Sequence, residues 1–147
     1  MTAHLFAPFR LLFVFALLAL LVASCAEDET PPLAGGDGTD SVVSFADDVL
    51  PILTTSCNSA GCHSGTGQAG LSLESSVAYD KLVDVNSTQV PSLKLVAPGD
   101  ADNSYLIHKL EDNQSVGSRM PTSPRPALSS DEIERIRAWI DDGAEDN

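Results

Sequence analysis

The sequence predicts a mostly α-helical fold, and three stretches carry that expectation. Near the end, Ser129-Ser130-Asp131-Glu132 has the form of a capping box, with Ile133, Ile136 and Ile140 following at helical spacing and Trp139 beside them. Earlier, Ser44 heads a stretch whose apolar residues Phe45, Val49, Leu50, Ile52 and Leu53 recur on helical faces. A third, shorter stretch places Leu106, Ile107 and Leu110 on one face, with Asp102 or Asn103 as its expected cap.

The elements run in chain order. Residues 1–24 hold His4 and Arg10, then an apolar run over 11–22, the pattern of an export leader. That run is shorter than the roughly 18 apolar residues expected of a membrane span. It ends in Leu21-Val22-Ala23-Ser24-Cys25, small residues before a cysteine, which resembles a bacterial lipobox and makes Cys25 the candidate lipidation site. An ordinary leader cleaved elsewhere is the alternative, and it leaves Cys25 a free thiol. Residues 25–43 are acidic, then rich in proline and glycine, and are expected to form a flexible tether. The expected folded domain is 44–147, long enough for one small core.

Within that domain, Pro51 is expected to kink or shorten the first helix, which delivers the chain to Cys57. Residues 64–70 read as a glycine-rich loop, and Leu71 and Leu73 alternate with polar neighbours in a weakly strand-like way. A short helix over 76–83 would bury Val77, Leu82 and Tyr79. Residues 85–91 are a polar loop, and Pro98-Gly99-Asp100 marks a turn. Residues 111–128 show no periodicity and carry Pro121, Pro124 and Pro126, so they form a long loop around Met120. The last helix stops at Gly143. Phe45 and Trp139 are placed to pack the two terminal helices together.

One motif carries chemistry. Cys57-Asn58-Ser59-Ala60-Gly61-Cys62-His63 reads C-x4-C-H, two thiols closing on an imidazole. Covalent haem attachment needs that set: two thiols add to the two vinyl groups, and the adjacent histidine reaches the iron. The usual spacing is C-x-x-C-H. A disulfide loop is a second reading of the two cysteines, and a zinc site built from Cys57, Cys62, His63 and His108 is a third. Met120 is the one methionine besides the initiator, and it sits in a polar, proline-rich loop where core packing is not expected. Its thioether is the candidate second axial ligand of a His/Met pair, with His108 as the rival. Arg119 and Arg125 flank this loop, placed to pair with cofactor carboxylates or simply solvated.

Four ordered segments together resemble the small cytochrome c domains of the planctomycete type. They are Ser56-Cys57 through His63 with Ala69-Gly70-Leu71-Ser72-Leu73; Val96-Ala97-Pro98-Gly99-Asp100 on to Ser104-Tyr105-Leu106; Arg119-Met120-Pro121; and Leu128-Ser129 through Trp139-Ile140-Asp141-Asp142-Gly143-Ala144. The resemblance covers about residues 44–144. It implies one covalent haem c, thioether anchors at Cys57 and Cys62, axial ligands His63 and Met120, and a small fold with its terminal helices packed together. The four-residue spacing between the cysteines departs from the family pattern.

The chain carries a net charge of −13, and the leader holds one basic and no acidic residue, so loss of the leader makes it −14. Such a charge argues against nucleic acid and anionic lipid surfaces as partners; it favours basic-faced proteins, with a merely solvated acidic surface as the alternative. The resulting expectation is a non-enzymatic electron carrier, exported and held by lipid to a bacterial membrane, the outer one favoured. A haem enzyme or gas sensor with a labile Met120, and a disulfide-stabilised binding module, are the alternatives.

Overall fold

The computed structural model describes residues 42–147. The expected leader, the candidate lipidation site Cys25 and all but the last two residues of the expected tether lie outside them. Among the described residues there are four α-helices and no strands: α1 (Leu50–Ser56), α2 (Ala78–Leu82), α3 (Tyr105–Leu110) and α4 (Ser130–Asp141). The mostly-α class is as expected. No helix among these residues is long and apolar enough to cross a membrane.

The chain enters α1 through a π-helical turn, Phe45–Val49. The Ser44 hydroxyl accepts from the Asp47 amide (3.2 Å), and the Ser44 amide donates to the Asp48 carboxylate (2.9 Å). Pro51 does not break the segment. It falls in the first turn of α1, where a helix has no use for its missing N–H. The wide turn before it runs straight into α1, with the Leu50 amide donating to the Phe45 carbonyl.

Two other expectations need correction. The helix expected over 76–83 is only the five residues of α2, and it buries Ala78 and Leu82 while Val77 and Tyr79 stay half-buried. Neither Asp102 nor Asn103 caps α3. The Asp100 carboxylate takes the Asn103 amide (3.1 Å) and side chain (2.7 Å), so the turn from Gly99 extends and the helix starts after Ser104. The Ser104 hydroxyl is itself turned back, donating to the Asp100 carbonyl and accepting from the Ala97 amide, both at 2.8 Å. Leu71 is extended, and neither it nor Leu73 belongs to a strand.

The core lies between α4 and the π-helical turn that leads into α1. Phe45, Val49 and Leu53 meet Ile136, Trp139 and Ile140, with Leu82, Val96, Ile107 and Leu110 closing it. The rings of Phe45 and Trp139 lie 5.1 Å apart, and Tyr79 meets Phe45 edge-on at 5.3 Å. Each polar tip of this cluster is satisfied. The Trp139 indole donates to the Glu145 carbonyl and the Tyr79 hydroxyl to the Ala144 carbonyl, both at 2.9 Å. Asn147 closes on the first turn: Ser44 and Ala46 donate to its backbone oxygen, and Phe45 to its side chain.

α4 begins with the expected capping box. The Ser129 hydroxyl accepts from the Glu132 amide (3.3 Å), and the Ser129 amide donates to the Glu132 carboxylate (2.8 Å). Ser129→Ala should cost about 1 kcal/mol, read as a lower urea midpoint with unchanged slope. A midpoint that does not move would show that the box adds nothing. The Ser129 hydroxyl also donates to the Glu132 carboxylate (2.8 Å), and the backbone and hydroxyl bonds together hold that carboxyl below its ordinary value. Its contribution is therefore present above the unfolded value and fades as pH falls through the lowered folded one. The gap between wild type and Ser129→Ala should narrow on acidification.

Candidate cofactor cavity

α1 ends on the motif. The Cys57 and Asn58 amides both donate to the Leu53 carbonyl, at 2.9 and 3.1 Å, which turns the chain out of the helix. The four residues between the cysteines then fold into nested turns. Ser59 donates to the Cys57 carbonyl (3.1 Å), Cys62 to that of Ser59 (2.9 Å), and His63 back to that of Cys57 (3.3 Å). The longer spacing is thus taken up within the loop, and His63 still returns beside Cys57.

His63 is oriented by the strap of chain from 64 to 73. Its Nδ1 lies 3.2 Å from the Leu71 carbonyl oxygen, and a carbonyl only accepts, so Nδ1 carries the proton. The Nε2 lone pair is left available, the arrangement a metal-bound histidine uses. The strap turns at Gly67, where a Cβ would stand 1.7 Å from the Leu71 oxygen. No other residue fits that approach.

Met120 reaches the same region from α3. Its amide donates to the Lys109 carbonyl (2.8 Å). The loop ahead of it hangs on two side chains one helical turn apart. The Tyr105 hydroxyl and the Lys109 ammonium both donate to the Val116 carbonyl at 2.8 Å, and Lys109 also reaches the Ser118 carbonyl at 3.2 Å. Lys109 is buried and its ammonium stands 5.3 Å over the Tyr105 ring. Burial pulls its pKa below the ordinary value. Neither residue was singled out for this role by sequence. The signal available was their i,i+4 spacing on the buried face of α3.

Together these elements enclose a cavity of about 540 Å³, within the roughly 300–1,000 Å³ of small-molecule and cofactor sites. Cys57, Cys62, His63 and Met120 all line it. Much of the remaining wall is leucine: Leu71, Leu73, Leu82, Leu95, Leu106 and Leu110. The loop 85–89, read from sequence only as polar, forms one side. Among the described residues no acidic side chain lines the cavity, while Lys81, Lys109 and Arg125 do. The cavity therefore suits an apolar body that carries negative charge.

Cys57 and Cys62 are free thiols, Cys57 buried and Cys62 half-buried. Burial pushes the Cys57 thiol up to about 11, against the opposing pull of the Arg125 guanidinium. Cys57 is accordingly a neutral thiol at neutral pH. His108 does not line the cavity. Its Nε2 lies 2.7 Å from the Asp102 carbonyl oxygen. Among the described residues no three His, Cys, Asp or Glu side chains converge on a metal position, so the four-ligand zinc arrangement is not assembled. Arg125 lines the cavity and Arg119 does not, although one nitrogen of Arg119 is buried without a partner.

No family model matches the chain, and no curated protein matches it. Among solved structures, hydrazine synthase of Kuenenia stuttgartiensis is similar to it, with 27% identity over 69% of this chain and a TM-score of 0.42. The match spans 16% of that protein's chain.

Proposed function

We propose that this chain is a c-type cytochrome that carries single electrons on one covalently bound haem. The observation that carries the proposal is the shared cavity: two free thiols, an imidazole with an available Nε2 and the one methionine after the initiator line the same space. The donor set fits the group. Cys57 and Cys62 would anchor it by thioether bonds, His63 Nε2 and Met120 Sδ would hold the iron, and the leucine wall would exclude water. When bound, such a haem supplies a one-electron ferric/ferrous couple, and a His/Met pair favours the reduced side. With two protein ligands assigned, no position remains for substrate, so the role is that of a carrier and not an enzyme.

The cationic wall would offset cofactor carboxylates, and the acidic exterior suits basic-faced redox partners over nucleic acid. We further infer that Cys25 is lipidated after export, so that the domain works outside the cytoplasm on a membrane anchor. The pattern before Cys25 is the support for this.

The test is production in a host with c-type maturation machinery. After extraction with acidified acetone the protein should keep its haem, and its mass should rise by one haem. An unmodified mass from such a host would overturn the proposal. Cys25→Ser should leave haem attachment intact while releasing the protein from the membrane fraction or leaving it unprocessed. Unchanged fractionation and processing would rule out the anchor alone.

A further inference from the structure

The loop between Cys57 and Cys62 is two residues longer than the C-x-x-C-H pattern. A longer loop has more conformational freedom to lose on closing, and slack in it would be passed to His63. Its own backbone bonds leave its outer side to be held by other groups. Gln68 holds it from nearby in sequence, donating from its backbone to the Cys62 carbonyl (2.8 Å) and from its side chain to that of Gly61 (3.3 Å). Arg125 holds it from far away. Its Nη1 donates to the Ser56 carbonyl (3.2 Å) and its Nη2 to the Ser59 hydroxyl (2.6 Å), across 69 and 66 residues of sequence.

Both acceptors make physical sense. The Ser56 carbonyl is among the last of α1, which the helix leaves without an intrahelical partner, and a cation there also complements the helix dipole. Ser59 lies inside the lengthened loop, and its carbonyl accepts from Cys62. Arg125 is in turn fixed to the other loop, its amide donating to the Thr122 carbonyl at 3.1 Å, two residues beyond Met120. The guanidinium is half-buried at the cavity wall.

We propose that Arg125 is a positioning residue: by spanning Ser56 and Ser59 it locks the lengthened cysteine loop to the Met120 loop, and so sets how His63 and Met120 face one another. The planar fork of arginine reaches both acceptors at once, which the single ammonium of lysine does not. The proposal deepens the haem reading and rests on it in one arm of the test only.

That arm uses the full chain matured with haem, as wild type, Arg125→Ala, Arg125→Lys, Ser59→Ala and the Arg125→Ala/Ser59→Ala double variant. The readout is the rate at which added imidazole displaces the methionine sulfur from ferric iron. Arg125→Ala should speed displacement roughly tenfold, equivalent to about 1.4 kcal/mol. Ser59→Ala should shift it less and in the same direction, and the double variant should be no faster than Arg125→Ala. Arg125→Lys should recover little. The second arm is hydrogen exchange of the full chain, in which the Cys62, His63 and Met120 amides should exchange faster in Arg125→Ala.

A silent Ser59→Ala beside an Arg125→Ala that alters only the reduction potential would overturn the lock and make Arg125 a partner of cofactor carboxylates. Unchanged displacement, unchanged exchange, or strict additivity in the double variant would overturn it as well. Ser59→Ala keeps the test decisive if Arg125→Ala fails to fold. If the wild-type chain takes up no haem, the haem reading fails, and the exchange arm still decides the lock.

Discussion

Replacing Trp139 by alanine is expected to destabilise the domain by about 3–5 kcal/mol, a large part of the roughly 5–15 kcal/mol that holds a domain folded. Two losses coincide at this site. The ring is 1% exposed and packs at 5.1 Å from Phe45, so its removal leaves a cavity where the π-helical turn meets α4. The indole bond to Glu145 goes with it, and that carbonyl sits beside Ala144, which carries the Tyr79 contact. Urea unfolding checks the size of the effect, with Arg135→Ala on the exposed face of α4 as the reference, expected within about 0.5 kcal/mol of wild type. A Trp139→Ala midpoint close to that of Arg135→Ala would show that the terminal helices are held by something else.

On the proposed haem reading, Met120→Ala should change the redox chemistry more than any other single substitution that leaves haem attached. Losing the thioether removes its stabilisation of ferrous iron, and the potential should fall on the order of 0.2 V, within the roughly 0.8 V range that axial ligands span. His108→Ala should leave potential and spectrum as they were, because His108 is outside the cavity wall and bonded to the Asp102 carbonyl. Spectroelectrochemistry on both variants decides the ligand. Survival of the wild-type spectrum in Met120→Ala with its loss in His108→Ala would reassign the distal ligand to His108 and make the protein a lower-potential bis-histidine carrier.

What could be read from sequence was local. The Ser129–Glu132 box, the Ser44 cap and the nearness of His63 to Cys57 depend on residues three to six positions apart, and each is present. The pairing of Phe45 with Trp139 followed from two apolar faces that needed covering. Contacts between loops were out of reach. Nothing in the pattern of 85–89 marks it as a cavity wall, and nothing near Met120 shows that Tyr105 and Lys109 suspend its loop. Ser104 displaced Asp102 and Asn103 from the start of α3 because Asp100 competes for the Asn103 amide, a contest that propensity does not rank. The Tyr79 bond to Ala144 depends on a chain reversal 65 residues away.

The bonds from Ser44, Phe45 and Ala46 to Asn147 bring both ends of the described chain to one spot. Tension applied between residue 42 and residue 147 therefore acts on these bonds one after another, as in opening a zipper, and not on all of them at once. Behind them the load passes straight to Phe45, and from there to the seam between the π-helical turn and α4. Pulled by its ends, the domain should give way at low force and begin at that seam. Pulled between residues 57 and 120, it should resist through the cavity walls instead. A single-molecule experiment with handles at either pair of positions would read the two directions separately, because forced opening reports the barrier along the direction of pull.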